Sequence, residues 1–298
     1  MPEPSLRSRR PTLLIVGCGD VGLRAAKLLR GRWRLLALTS SPGRAAELRL
    51  AGIVPIVGDL DRPKSLGRLA DLADAVLHLA PPPSAGVDDL RTAHLVAALA
   101  RTSRLRRLVY VSTSGVYGNC EGARVDETRA VKPATDRARR RVDAERRLRH
   151  FGRHAGVLVS ILRVPGIYGL DRAGGDPRER LARGTPVLSH ADDVHTNHIH
   201  ADDLARACAL ALHRGLPQRA INIADDSALK MADYFDLAAD IFGMARPPRL
   251  ARSDAASAMS PMQMSFLSES RRLVNTRMKR ELGLVLRYPT VADGLVAK

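Results

Sequence analysis

Aromatic residues are scarce in this 298-residue chain, at 3% of the total: four Phe, five Tyr and one Trp. Single-stranded nucleic acid is gripped by stacking bases on such rings, so that function has little to work with here. Cysteine is scarcer still. Cys18, Cys120 and Cys208 are far apart and odd in number, which argues against a disulfide framework and for a reducing compartment. No uninterrupted apolar run approaches the length of a membrane span. Arg7, Arg9 and Arg10 precede the apolar Leu13 to Val16, but that stretch is too short for a secretion signal and runs into glycines where a cleavage site would be. The sequence therefore predicts a cytoplasmic protein with no membrane attachment. Lysine is also rare: six lysines stand against forty-two arginines, and the formal net charge is +17. The arginines are scattered over the whole length, with no helix-turn-helix, zinc or RNA-binding signature beside them. This reads as biased composition rather than a nucleic-acid footprint, so no specific nucleic-acid partner is expected. Such a surface does concentrate anionic ligands such as phosphates.

What is present is enough apolar material for a full core, at 45% of residues, whether in one large α/β unit or two lobes. Near-continuously apolar runs at Thr12 to Val16, Arg34 to Thr39, Ile53 to Val57, Ala75 to Leu79, Leu108 to Ser112 and Val157 to Leu162 read as strands buried on both faces of a parallel sheet. They alternate with helix-compatible stretches at Val21 to Arg30, Arg44 to Ala51, Ser65 to Ala70, Asp88 to Ala100 and Asp136 to His150. That alternation predicts the α/β class, a Rossmann doubly wound parallel sheet with a smaller C-terminal substrate lobe. Residues 1–10 form a basic disordered tail in this reading, 11–165 the Rossmann domain with 191–224 returning to it, and 166–190 and 225–298 the smaller lobe. Gly166 to Pro186 reads as loop, Thr196 to His200 as a short strand, and Asp202 to Leu212 as a helix capped by Ala201 or Asp202. A strand at Ala220 to Ala224 and a helix at Met231 to Phe242 follow.

The run Gly17-Cys18-Gly19-Asp20-Val21-Gly22 leaves the first predicted strand and opens the first predicted helix. A bare glycine pattern is weak, and this context strengthens it. The first glycine permits a tight turn, the second lets the backbone approach a pyrophosphate, and the third lets helix and strand pack closely. The helix N-terminus then offers free N–H groups to the phosphates. At the end of the second strand an acidic residue would hold a ribose 2′-hydroxyl and repel a 2′-phosphate. Leu38-Thr39-Ser40-Ser41-Pro42-Gly43-Arg44 has no carboxylate, and it has hydroxyls and an arginine, which favours NADP over NAD.

Gly58-Asp59-Leu60, His78-Leu79-Ala80 followed by Pro81, Tyr110-Val111-Ser112-Thr113-Ser114-Gly115-Val116-Tyr117-Gly118, Leu162-Arg163-Val164-Pro165-Gly166-Ile167-Tyr168-Gly169, Ile199-His200-Ala201-Asp202-Asp203 and Glu281-Leu282-Gly283 complete a set of motifs in order. Together they resemble the short-chain dehydrogenase/reductase superfamily, in its extended branch of sugar-nucleotide epimerases and dehydratases and their atypical members, over nearly the whole chain. The resemblance implies a cofactor site made of Gly17 to Gly22, Thr39, Ser40, Arg44, Asp59, Leu60, Leu79, Ala80, Pro81, Ser112 and Pro165. It also implies that Thr113 takes the place of the residue that positions a substrate hydroxyl.

The family's usual acid/base is a Tyr-x-x-x-Lys pair, the lysine lowering the tyrosine pKa. When Glu145 is aligned with the family's helix glutamate, Arg137 and Arg141 stand where Tyr and Lys belong. No tyrosine in this chain has a lysine four residues later. A guanidinium stays charged and cannot shuttle a proton, although it binds phosphate or carboxylate well. Arg137 and Arg141, one turn apart, are thus either an anion clamp or an ordinary basic helix face. An alternative acid would have to be Tyr117 or Tyr168 beside Thr113, or His198 or His200; Tyr117 is the catalytic candidate, with a packing or loop-anchoring role as its alternative. Ser114, Tyr168, His198 and His200 join the two arginines as substrate-binding candidates, the histidines being able to titrate near neutrality. No metal site is expected: His200 and Asp203 match a structural segment of the family. Ser268 to Arg272 could add polar groups to the substrate lobe or form an exposed loop.

The expected function is an NADP-preferring oxidoreductase or epimerase/dehydratase-like enzyme on a small, anionic or nucleotide-linked molecule. The alternative is a catalytically inactive dinucleotide-binding regulatory or scaffold protein. Whether the helices at Asp88 to Ala100 and Asp136 to His150 pair two protomers in a homodimer stays open.

Overall fold

The computed structural model describes residues 10–101 and 104–296; nearly all of the N-terminal tail lies outside them. In chain order the strands are β1 (Thr12–Val16), β2 (Arg34–Thr39), β3 (Val54–Val57), β4 (Ala75–His78), β5 (Arg107–Thr113), β6 (Arg124–Val125), β7 (Leu158–Val164), β8 (Gly166–Tyr168), β9 (Val187–Leu188), β10 (His198–His200), β11 (Arg219–Asn222), β12 (Arg249–Leu250) and β13 (Arg272–Leu273). The helices are α1 (Asp20–Leu29), α2 (Ala45–Leu50), α3 (Leu90–Leu99), α4 (Asp136–Ala155), α5 (Pro177–Ala182), α6 (Ala201–Arg214), α7 (Met231–Phe242), α8 (Arg252–Ala258), α9 (Pro261–Leu267), α10 (Thr276–Glu281) and α11 (Val291–Val296).

Seven strands form one parallel sheet in the order β11-β7-β5-β4-β1-β2-β3. The order reverses between β1 and β4, and ligands of open α/β sheets bind at the carboxyl ends of the strands at such a switch point. All five residues of β1 and all four of β4 are buried, because helices cover both faces. Leu13, Ile15, Ala25, Leu29, Leu204 and Ala211 belong to the core on the face of α1 and α6. Leu14, Val76, Leu95, Leu108, Ala144 and Leu148 belong to the core under α3 and α4. A third apolar cluster lies away from the sheet, where Tyr168, Leu181, Val187, Tyr234, Phe235 and Leu295 join α5, α7 and α11.

Three local expectations are corrected. The stretch expected as a helix at Ser65 to Ala70 is a 3-10 segment at Pro63–Leu69, opened by a proline that presets φ but lacks an N–H. The loop expected at Gly166 to Pro186 contains β8, paired with β10, and α5, opened by Pro177 and capped by Asp176. The cap of α6 is neither Ala201 nor Asp202. His200 fills that position, its Nδ1 accepting from the Asp202 N–H at 3.2 Å.

Candidate functional site

A groove and a cavity meet at the carboxyl edge of the sheet. The groove, about 510 Å³, runs over the glycine loop. Gly17 has φ +87°, and a Cβ there would fall 2.4 Å from the Ala80 backbone nitrogen, so only glycine fits. Gly19 differs: nothing lies within 4 Å of a Cβ built on it. The protein itself does not require glycine at that position, and the open space leaves room for a ligand to approach the backbone. Gly19 also caps α1 without a side-chain acceptor, leaving N–H groups at the positive end of a ten-residue helix free for an anion. The residues present therefore fit a dinucleotide pyrophosphate.

Gly17 to Gly22, Thr39, Ser40, Arg44, Leu79, Pro81, Ser112 and Pro165 all line this groove, with Leu38, Ser41, Val111, Arg141 and Arg172. Arg44 hydrogen-bonds through Nη1 to the Cys18 carbonyl at 2.9 Å while its fork holds Glu47, so it bridges the end of β2 and the glycine loop. Burial pushes the Cys18 thiol up to about 11, which keeps it protonated. Asp59, Leu60 and Ala80 are not among the lining residues. The Asp59 N–H donates to Ser65 Oγ (2.8 Å), Leu60 packs into the apolar core, and Ala80 supports Gly17 from below.

The cavity, about 490 Å³, shares Thr113, Pro165, Ile167 and Arg172 with the groove. Both volumes lie in the range of small-molecule sites. Thr113 ends β5, and its Oγ1 accepts from the Gly115 N–H at 3.2 Å. Ser114, Arg137, Tyr168 and His198 line the cavity, together with Arg180, His195, Asn197, Tyr234, Phe235, Glu269 and Arg271. Burial lowers the pKa of Arg137 and of Arg180 below the usual arginine range. Arg180 lies over the Phe235 ring, 4.4 Å from its centre, and its Nε is buried without a partner, as is that of Arg271. Arg271 also donates to the Gly118 carbonyl and to Glu269.

His198 is 6% exposed and stacks on Tyr234 with ring centres 4.1 Å apart. Burial drives its pKa down to about 3, so the ring is neutral, and its Nδ1 has no partner. The hydroxyl of Tyr168 donates to the Thr290 carbonyl at 3.2 Å, and burial raises its pKa.

The structure separates the two arginines on α4. Arg137 faces the cavity and Arg141 the groove. Arg141 donates from Nη1 to the Tyr110 hydroxyl and the Val111 carbonyl, both at 3.0 Å. They are therefore not one two-forked clamp. Two other candidates are not brought to either space. Tyr117 is 1% exposed, its hydroxyl donates to Asn222 Oδ1 at 2.8 Å, and the Arg163 guanidinium sits over its ring. His200 is occupied in capping α6, with Tyr168 and Tyr288 against its ring.

Beneath the shared wall, Glu145 of α4 accepts from Ser112 Oγ (2.7 Å) and takes a two-pronged grip from Arg163 (3.1 and 2.7 Å). This fastens α4 to β5 and β7. Sequence reasoning missed Arg172, Arg180, Asn197 and Tyr234. They come from loops and from α5 and α7, and nothing in their local sequence marks which space they enter. Among the described residues, no group of three or more His, Cys, Asp or Glu side chains is arranged to hold a metal ion, and no helix is long and apolar enough to cross a membrane.

Residues 13–224 match the NAD dependent epimerase/dehydratase family. Over 287 residues the chain is 25% identical to protein YeeZ of Escherichia coli (strain K12), covering 92% of this chain and 95% of that one. A functionally unknown conserved protein from Silicibacter pomeroyi superposes with a TM-score of 0.79 at 28% identity, over 96% of each chain. UDP-glucose 4-epimerase from Thermotoga maritima, solved with UDP-glucose, gives 0.78 at 20% identity over 95% of this chain and 96% of that one. At that identity the likeness is one of fold.

Proposed function

The chain belongs to the NAD-dependent epimerase/dehydratase family, and on that premise we propose that it is an NADP-preferring oxidoreductase or epimerase-type enzyme acting on a small anionic molecule. The observation that carries this reading is the shared wall: a groove over the glycine loop and an arginine-rich cavity meet on Thr113, Pro165, Ile167 and Arg172. A family neighbour from Bacillus cereus, UDP-glucuronic acid 4-epimerase, was solved in complex with NAD, which supports a nicotinamide dinucleotide here. The preference for its phosphorylated form rests on Thr39, Ser40 and Arg44 in place of a carboxylate.

In this reading the glycine loop and the α1 N-terminus hold the pyrophosphate, and Arg44 holds the ribose phosphate. Ser112, Thr113 and Pro165 face the nicotinamide end. The cofactor, when bound, supplies reversible hydride transfer. Thr113 orients the substrate oxygen. Arg137 anchors a substrate anion with a guanidinium whose burial strengthens its pull. His198, a neutral ring in the cavity wall, borders that oxygen without adding charge.

Titration of the purified protein with NADPH and NADH tests the reading. NADPH is expected to bind more tightly, Arg44→Ala to erase that difference, and Gly19→Asp to abolish binding of both without unfolding the chain, since its Cβ meets nothing. Equal affinities in the wild type would refute the preference, and absence of binding would refute the dinucleotide site. A screen of carbonyl and sugar-nucleotide compounds with NADPH should find turnover that Thr113→Ala removes. Arginines at both α4 positions where the family resemblance calls for Tyr and Lys favour a second reading, a dinucleotide-binding protein without catalysis. Tight NADPH binding with no turnover across the screen would select it.

A further inference from the structure

The segment between β8 and α5 closes on itself and is tied to the glycine loop. The Gly169 N–H donates to the Gly175 carbonyl (3.3 Å), that of Arg172 to the Gly169 carbonyl (3.1 Å), and that of Gly175 to the Arg172 carbonyl (2.9 Å). The Arg172 stem lies directly on Gly175, where a Cβ would fall 2.8 Å from Arg172 Cδ. Two ion pairs fasten this loop to α1. Arg172 Nη1 meets Asp20 Oδ2 at 2.6 Å, and Asp171 Oδ1 meets Arg24 Nη2 at 2.6 Å. Arg24 in turn holds Asp20 at 2.9 Å and Asp202 at 2.6 Å.

Asp20 directly follows Gly19 and is the first residue of α1, so the loop is anchored at the phosphate end of the groove. A carboxylate there suits the helix dipole but opposes a pyrophosphate. Arg172 is the one charged residue among the four that line both groove and cavity. Its guanidinium has five N–H donors in a planar fork. Asp20 takes one, and Nε is buried without a partner.

Resting on the dinucleotide reading above, we propose that Arg172 is a specificity-neutral phosphate clamp: it screens Asp20 and bridges that carboxylate to the pyrophosphate, seating residues 169–175 at the boundary of the cavity. Cofactor occupancy then organises one wall of the substrate site. By thermodynamic reciprocity, substrate in the cavity tightens the cofactor.

Calorimetric titration of NADPH and NADH into the wild type, Arg172→Ala and Asp20→Asn tests this. Arg172→Ala should weaken both nucleotides by about tenfold, the scale of one lost charge-assisted contact, and leave their ratio unchanged, because the pyrophosphate is common to both. Asp20→Asn removes the opposing charge and frees the guanidinium, so it should bind both at least as tightly as the wild type. In hydrogen exchange, NADPH should slow the Arg172 and Gly175 amides in the wild type and not in Arg172→Ala. If the wild type binds and Arg172→Ala stays within twofold of it, if only NADPH is weakened, or if Asp20→Asn weakens binding as Arg172→Ala does, the clamp is overturned while the dinucleotide site stands. A wild type that binds neither nucleotide overturns the site and the clamp together.

Discussion

The groove and the cavity are built in opposite ways. The groove is built on the carboxyl ends of β1, β2, β4, β5 and β7 and the turns that follow them, a glycine turn and a helix N-terminus among them, with Arg44, Arg141 and Arg172 also in its lining. The cavity takes side chains from β5, α4, β8, α5, β10, α7 and residues 269–271, and what it offers is charge, in guanidiniums whose burial is only partly compensated. A surface built on strand ends and a glycine turn can accept a ligand shared by many proteins. One made of side chains drawn from distant segments can change its substrate without disturbing the sheet. The two regions should therefore respond differently to substitution, except where they share a foundation.

Glu145 is that foundation, and the largest effect is expected there. Its carboxylate and the Arg163 guanidinium are 2% and 4% exposed. Glu145→Ala leaves a buried cation unpaired and frees Ser112, at a cost of about 3–5 kcal/mol. Denaturant unfolding should show the loss, and cofactor and substrate binding should fall together. Glu145→Gln keeps an acceptor for Ser112 and should lose less. A Glu145→Ala protein of unchanged stability would mean that the two regions rest on separate supports.

Two buried histidines let the dryness of the regions be compared. His78 lies behind the groove, its Nε2 2.9 Å from Thr92 Oγ1, and His198 lines the cavity. Burial holds both down to about 3, with nearby Arg141 adding to the effect at His78. An unfolded histidine titrates near 6.5, so on acidification the unfolded state takes up protons first. Stability is then fully present above about pH 6.5 and falls as the pH drops toward 3, by roughly 1.4 kcal/mol per pH unit for each ring. Asp225 works in the other direction. Burial raises its carboxyl to about 8, so its contribution is greatest below the ordinary carboxylate range, near pH 4, and is lost as the pH rises toward 8. Urea midpoints from pH 6.5 to 4.5 should lose one proton of slope in His78→Gln and one in His198→Gln. A His198→Gln slope equal to that of the wild type would mean that the cavity wall is wet where the groove's support is dry.

Legibility in the sequence divides along the same line. Gly17 to Gly22 could be read because a turn, a phosphate approach and a helix start impose residue types at fixed short spacings. The inner strands of the sheet could be read because burial on both faces leaves a continuous apolar run, whereas β3, expected to be buried as well, is an edge strand with Val54 and Val57 exposed. Asp59, Leu60 and Ala80 follow the right strands, yet do not line the groove: sequence position finds the strand end but not which way each residue faces. In the cavity, Arg172 and Arg180 are two arginines among forty-two, and only the fold brings them beside Arg137 and Arg271. Tyr117 and His200 sit in motifs that suggested chemistry, and packing gave both hydrogen bonds to other duties.

His198 and His200 sharpen the comparison at its finest scale, since they are two residues apart on β10 and both are buried. The smallest effect is expected at His200. Its Nδ1 accepts the Asp202 N–H that α6 would otherwise leave unpaired, and its ring packs on Tyr168 and Tyr288. Both His200→Ala and His200→Asn remove the ring, but asparagine keeps an acceptor suited to a helix start. The difference between the two variants isolates the cap and should be about 1 kcal/mol in unfolding free energy, with asparagine the more stable. Neither substitution should change the ratio of substrate to cofactor affinity, whereas His198→Gln, on the cavity wall, should change it at unaltered helix stability. If His200→Asn lowers substrate affinity as far as His198→Gln does, then β10 presents both rings to the ligand, and the boundary between structural and ligand-facing histidine does not fall between them.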